Sequence, residues 1–348
     1  MWCLFMVMCF ILPFGNSHGV FRNRRSVNPE ANMNISQIIS YWGYPDEKYD
    51  IVTEDGYILD LYRIPYGKAN NNNSAQRLVV YLQHGLLTSA SSWVSNLPNN
   101  SLGFVLADAG YDVWMGNSRG STWSRKHRYL KTNSKEFWAF SFDEMAKYDI
   151  PASIDFVVKQ TGQEEIFYIG HSQGTTIAFI AFSTLPKIAE KIKIFFALAP
   201  VFSIVHTKCP LLKMAYKMKP IIKSRLDVYF SHNPAGTSVQ NMVHWSQLLY
   251  SSHLKAFDWG SPELNLLHFN QTTSPLYSVT NMTVPTATWN GEQDLLADAE
   301  DVEALRSEIK YHIYHKTISY YNHIDFLFGM DAYEQVYREI VAIMQVNP

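Results

Sequence analysis

The chain has 348 residues, 47% of them hydrophobic and 17% charged, so it is long enough and apolar enough to bury a sizeable core. A formal net charge of −2 offers no electrostatic attraction to nucleic acid or to an anionic membrane surface. The sequence carries no H-E-x-x-H, no paired cysteines and no Walker loop, which sets aside metal and nucleotide chemistry and leaves no need of a cofactor.

Residues 2–14, "WCLFMVMCFILPF", form an apolar run of signal-peptide length that is too short to span a bilayer. "GNSHG" follows, with Ser17 and Gly19 placed for cleavage, so residues 1–19 are expected to be a signal peptide. The basic cluster Arg22, Arg24 and Arg25 then reads as a solvated N-terminus. Five N-x-[ST] sequons, at Asn34, Asn72, Asn99, Asn270 and Asn281, agree with passage through the secretory pathway. Cys3 and Cys9 fall in the leader, which leaves Cys209 alone in the mature chain without an intramolecular disulfide partner. No other uncharged apolar stretch reaches transmembrane length.

Along the mature chain, two alternating runs flank Glu54-Asp55-Gly56 within residues 49–65 and predict a hairpin. The asparagine run at 70–73 reads as an exposed loop. "RLVVYLQHG" (77–85) is a continuous apolar run of the kind buried on both faces of a parallel sheet. A helix over 100–109 and a strand over 111–117 follow. Ser141 and Glu144 form a capping box that opens a helix to about residue 160, in which Pro151 demands a kink or a break. A strand at 165–170, a helix from 174 to 184 and a strand at 192–200 continue the alternation. It lapses between 201 and 265, where prolines and aromatics replace strand patterning and predict an inserted cap. Strands at 284–291 and 311–319, with helices at 298–307 and 331–345, complete a doubly wound α/β sheet.

Gly170-His171-Ser172-Gln173-Gly174 lies between a strand and a helix, the context of a nucleophile elbow. The turn brings backbone segments too close for a Cβ at the glycines, and it forces the serine into an unfavourable conformation that lifts Oγ off the sheet. A serine hydroxyl needs a base, and the base needs an orienting carboxylate. In this fold the order is serine, acid, histidine, with the last two on loops after late strands. "GEQDLLAD" offers Asp294 close to the strand end, with Glu292 a weaker rival and Asp298 better suited to cap the next helix. "YYNHIDF" offers His323, whereas His312 and His315 fall within the strand and Asp325 is too near in sequence to orient the imidazole. Two N–H donors must receive the developing oxyanion. One is expected from Gln173, the other from "HGLL" (84–87), most naturally at Leu86, with His84 a core histidine bonded to a loop carbonyl.

Long segments, among them "YWGYPDEKYDIVTEDGYIL", "LQHGLLTSASSWVSNLPNNSL", "GHSQGTT", "WNGEQDLLAD" and "YNHIDF", resemble the acid lipase family, and such segments cover nearly all of residues 35–347. The resemblance implies an α/β-hydrolase fold and hydrolysis of lipid esters such as acylglycerols or sterol esters at a lipid–water interface. It places the triad on Ser172, Asp294 and His323 and the oxyanion donors on Leu86 and Gln173. It also implies a departure: family members carry a longer segment, with two cysteines, between the stretches ending near 223 and beginning at 224. The expected organisation is therefore a hydrolase core over 20–200 and 266–348 interrupted by a shortened cap at 201–265. The expected location is secreted or the lysosomal lumen. A soluble short-chain carboxylesterase or thioesterase, or a non-catalytic lipid-binding relative, are the rival readings.

Overall fold

In the computed structural model, which describes residues 27–69, 76–207 and 225–348, alternating side chains around Thr53–Gly56 fold back as a hairpin. The leader 1–19, the arginine cluster, Asn72 with its asparagine run, and Cys209 lie outside the described residues. Strands β1 (Glu47–Val52) and β2 (Tyr57–Ile64) pair antiparallel from Glu47 opposite Arg63 to Val52 opposite Ile58. The apolar runs form strands buried on both faces: β3 (Val79–Gln83), β4 (Asp112–Gly116), β6 (Ile166–His171) and β7 (Ile192–Leu198). Between β4 and β6, the two-residue strand β5 (Lys126–His127) adds to the edge of β2, an element too short to leave a sequence pattern. With β8 (Thr286–Gly291) and β9 (His312–Ile318) the sheet order is β1-β2-β4-β3-β6-β7-β8-β9, parallel from β4 onward. β6 is therefore central, and β3, β6, β8 and β9 all deliver their loops to the carboxyl edge of the sheet.

Helices α1 (Ile35–Tyr41), α2 (Leu102–Asp108), α3 (Ile150–Thr161) and α4 (Gln173–Thr184) pack around the sheet with most of their apolar residues buried. The Ser141–Glu144 capping box forms, but Pro151 does not sit inside one continuous α-helix. A π turn over Met145–Asp149 comes first, closed by the Ile150 N–H donating to the Met145 carbonyl. Pro151 then falls in the first turn of α3, directly after the π turn, at the junction where the helical hydrogen-bond register changes. The C-terminal helix is divided likewise, a π turn at Tyr333–Tyr337 preceding its α-helical part, Arg338–Gln345.

Between β7 and β8, the stretch where a cap is expected, the chain leaves the sheet and among the described residues forms α5 (Leu226–His232), α6 (Val239–Leu248) and α7 (Pro262–Phe269). Helix α7 spans residue 265, the expected cap boundary, and the sheet resumes only at Thr286. The boundary is invisible to periodicity because α7 exposes Leu264, Leu266 and Leu267, so it lacks an ordinary amphipathic pattern. The start of α5 is pinned by Arg225, 3% exposed, whose guanidinium pairs with Glu30 at 2.5 and 2.8 Å and donates to the Ser95 carbonyl. Tyr229 on α5 stacks on Phe328 of the core at 4.4 Å. Among the described residues no helix is long and apolar enough to cross a membrane.

Candidate active site

Strand β6 ends at His171 and α4 begins at Gln173, so Ser172 must turn the chain within one residue. It does so at φ +55°, ψ −124°, a conformation that costs a non-glycine residue about 1–3 kcal/mol and persists only where its surroundings over-determine it. A Cβ on Gly174 would collide with the Gln83 carbonyl, so the helix reaches β3 only with glycine there. The β3 loop lies against the elbow: a Cβ on Gly85 would stand 2.9 Å from Ser172 Cβ.

Asp294 lies three residues past β8 and His323 five past β9, and the two meet Ser172 across the carboxyl edge. Ser172 Oγ is 2.6 Å from His323 Nε2, and His323 Nδ1 is 2.8 Å from Asp294 Oδ2. A carboxylate only accepts, so Nδ1 carries the proton and the Nε2 lone pair faces the serine hydroxyl. The other Asp294 oxygen accepts from the Leu296 and Ala297 N–H groups at 2.8 and 2.9 Å, which holds the carboxylate plane. All three side chains are buried, Ser172 keeping 9% exposure. The arrangement can withdraw the serine proton without moving a heavy atom far.

The rivals occupy other positions. Glu292 is exposed, and the Asp298 carboxylate accepts from the Glu300 N–H and caps α8 (Ala299–Glu308). His312 and His315 both hydrogen-bond the Thr288 hydroxyl within the sheet. Asp325 accepts from the Asn322 N–H, and burial raises its carboxyl to about 6.

Two buried histidines brace the site from behind. His84 Nε2 accepts from the Ser118 N–H, so its Nδ1–H donates to the Gly85 carbonyl at 2.8 Å and fixes the β3 loop. Burial lowers His84 to about 4. His171 was not singled out by its motif position, yet its Nε2–H donates to the His323 carbonyl at 2.8 Å and holds the His323 backbone. Burial, then the neighbouring His323, lowers it to about 3, so it remains a neutral donor. Nothing in the sequence near residue 171 indicates a partner 152 positions away.

As the first residue of α4, Gln173 has a backbone N–H without an intrahelical acceptor. Leu86, half-buried, and Leu87, at φ +59°, follow Gly85 on the facing loop. The start of α4 thus leaves the Gln173 N–H beside Ser172 without an intrahelical acceptor. Among the described residues no group of three or more His, Cys, Asp or Glu side chains is placed to hold a metal ion.

Where the cap meets the core, Asp143 accepts from the Phe257 N–H and the Tyr277 hydroxyl, both at 2.8 Å, and lies 4.0 Å from His244. Burial first, and then Glu144, raises Asp143 to about 7, while burial lowers His244 to about 4. An unfolded aspartate titrates near 3.8, so neutral Asp143 favours the folded state below that pH. That contribution is lost as the pH rises through about 7. Relative to Asp143→Asn, the wild type is expected to gain on the order of 2–4 kcal/mol as the pH falls from 7 to 4. Thermal melts of both proteins across that range check this, and the opposite slope would contradict it.

The family model described as the partial alpha/beta-hydrolase lipase region matches residues 35–97, and that of the alpha/beta hydrolase fold matches residues 79–221. Human lipase member J is 68% identical over 365 residues, covering 90% of this chain and all of the relative. Human gastric triacylglycerol lipase is 51% identical over 393 residues, covering 99% of each chain. Human lysosomal acid lipase/cholesteryl ester hydrolase is 47% identical over 389 residues, covering 98% of each. Among solved structures, naproxen esterase from Bacillus subtilis superposes with a TM-score of 0.56 at 15% identity, covering 88% of this chain and 94% of that one, a likeness of fold. The chain belongs to the acid lipase family of α/β hydrolases. It is a carboxylic ester hydrolase acting on lipid esters.

Proposed function

We propose that the chain hydrolyses acylglycerols or sterol esters through an acyl-enzyme on Ser172. The observation that carries this is the continuous relay from Ser172 Oγ to His323 Nε2 at 2.6 Å and from His323 Nδ1 to Asp294 Oδ2 at 2.8 Å. His323 takes the serine proton as Oγ attacks the ester carbonyl, and Asp294 holds the imidazole tautomer and stabilises the imidazolium. The backbone N–H groups of Leu86 and Gln173 receive the negative charge that develops on the carbonyl oxygen. His323 returns the proton to the departing alcohol, then activates water, which releases the fatty acid and frees Ser172. The named activities of the gastric and lysosomal relatives support lipid esters as substrates.

The cap of this chain is a shortened one. Alignments of 393 and 389 positions against a chain of 348 residues support a longer segment in those relatives. Entry into the secretory pathway and action at a lipid–water interface, in the extracellular space or the lysosomal lumen, complete the reading. The sequons at Asn34, Asn99, Asn270 and Asn281 are exposed and open to glycosylation.

The test is hydrolysis of emulsified triolein and cholesteryl oleate beside dissolved p-nitrophenyl acetate, by the purified wild type and Ser172→Ala. Turnover of the emulsified esters, lost in the variant, is expected. A marked preference for the dissolved acetate would favour a soluble esterase, and lipid binding without turnover would favour a non-catalytic relative.

A further inference from the structure

Gln173 has an amide side chain that a backbone donor does not need, and nearly all of it is buried. Its Oε1 accepts two hydrogen bonds from the cap, one from Asn241 Nδ2 at 2.9 Å and one from Trp245 Nε1 at 2.7 Å. An indole nitrogen only donates, so the amide can present only its oxygen to the cap. Its Nε2 consequently points the other way, to Met145 Sδ at 3.4 Å in the π turn. The side chain is held at both ends.

The holding groups are themselves fixed. Asn241, His244 and Trp245 stand at i, i+3 and i+4 of α6 and share the face turned to the core. The His244 ring stacks on Phe142 at 3.8 Å and 16°, and Trp245 packs on the same ring at 5.1 Å. Asn241 also donates to Thr237 Oγ1 at 3.0 Å, and its backbone N–H is capped by Ser238 Oγ. The Ser238 hydroxyl in turn donates to the Phe140 carbonyl. Helix α6 is thus fastened to the segment Phe140–Asp143 on one side and to Gln173 on the other.

We propose that Asn241 and Trp245 are positioning residues: by gripping the Gln173 side chain they fix the peptide N–H that receives the oxyanion, making the cap part of the catalytic geometry. The proposal rests on the reading of Ser172 as nucleophile and Gln173 as oxyanion donor. Oxyanion stabilisation depends on dipoles oriented before the reaction, and a peptide tethered through its own side chain has fewer orientations to lose. The tether acts on the transition state and not on the bound ester, so its loss lowers kcat and spares KM.

The experiment uses Trp245→Phe, which removes one donor and keeps a ring, and Asn241→Leu, which removes the other. Gln173→Met removes the shared acceptor at similar length, and Val243→Ala on the outward face of α6 is the control. Each is assayed on dissolved p-nitrophenyl butyrate and for the rate of Ser172 labelling by an alkyl phosphonate, with melting temperatures recorded. Each donor variant is expected to lose roughly 5- to 20-fold in kcat and in labelling rate, less than the full loss of an oxyanion donor, with KM within about twofold. In the Gln173→Met background neither change should lower kcat further. Unchanged kcat in both donor variants, an effect on KM alone, or losses that multiply in that background would overturn the proposal. A wild type that takes up no phosphonate at Ser172 would instead remove the nucleophile reading, and this proposal with it.

Discussion

Asp294→Asn is expected to lower kcat by about 10⁴-fold with KM changed by no more than about threefold. The reason lies in the two sides of the carboxylate. One oxygen accepts from the Leu296 and Ala297 N–H groups, and an asparagine must keep its carbonyl oxygen there. Its NH2 group then replaces the oxygen facing His323 Nδ1. A donor in that place favours the tautomer with the proton on Nε2, which faces Ser172 Oγ with a hydrogen where a lone pair is needed. The fold should survive, because the two loop hydrogen bonds remain. Steady-state kinetics with a melting curve check both parts, and a loss under tenfold would contradict the assignment of Asp294.

Arg225→Ala is expected to destabilise the fold by about 3–5 kcal/mol, because it leaves the Glu30 carboxylate buried without its counter-charge. Glu30 is 1% exposed, and among the described residues its carboxylate keeps one other side-chain donor, Trp42 Nε1 at 2.8 Å. The Ser95 carbonyl loses its donors from Arg225 as well. For a chain of this size the melting temperature should fall by roughly 4–7 °C. Replacing both partners, as in Glu30→Met with Arg225→Met, should recover most of the loss, since a buried pair is worth little more than a well-packed apolar one. Thermal or denaturant unfolding measures it, and a single-variant loss under about 1 kcal/mol would contradict a buried role for the pair. The position matters because Arg225 stands directly before α5 and ties that helix to Glu30 and to the Ser95 carbonyl.

The parts of the fold that repeat a local rule were legible in the sequence. Apolar runs marked β3, β6 and β7, and the alternation around Glu54-Asp55-Gly56 marked the hairpin, because periodicity is a property of neighbouring residues. The order of Ser172, Asp294 and His323 was legible because each follows a strand, and the strands bring their ends to one edge. Contacts between distant residues were not. His171 meets the His323 carbonyl 152 positions on, and Arg225 pairs with Glu30 across 195 positions. Asn241 and Trp245 meet the Gln173 side chain across 68 and 72 positions. None of these residues has a chemistry that distinguishes it from an ordinary buried polar group. The stretch between β7 and β8 showed only a lapse in pattern, since helices such as α7 that expose leucines break the rule by which helices are read.

The central claim is that Ser172 is the nucleophile of a lipid ester hydrolase, and intact-mass analysis after exposure to an alkyl phosphonate tests it most directly. The wild type should gain one phosphonyl group, mapped to the peptide bearing Ser172, in step with the loss of esterase activity, and Ser172→Ala should gain none. Equal labelling of the two proteins, or full activity in the labelled wild type, would contradict it.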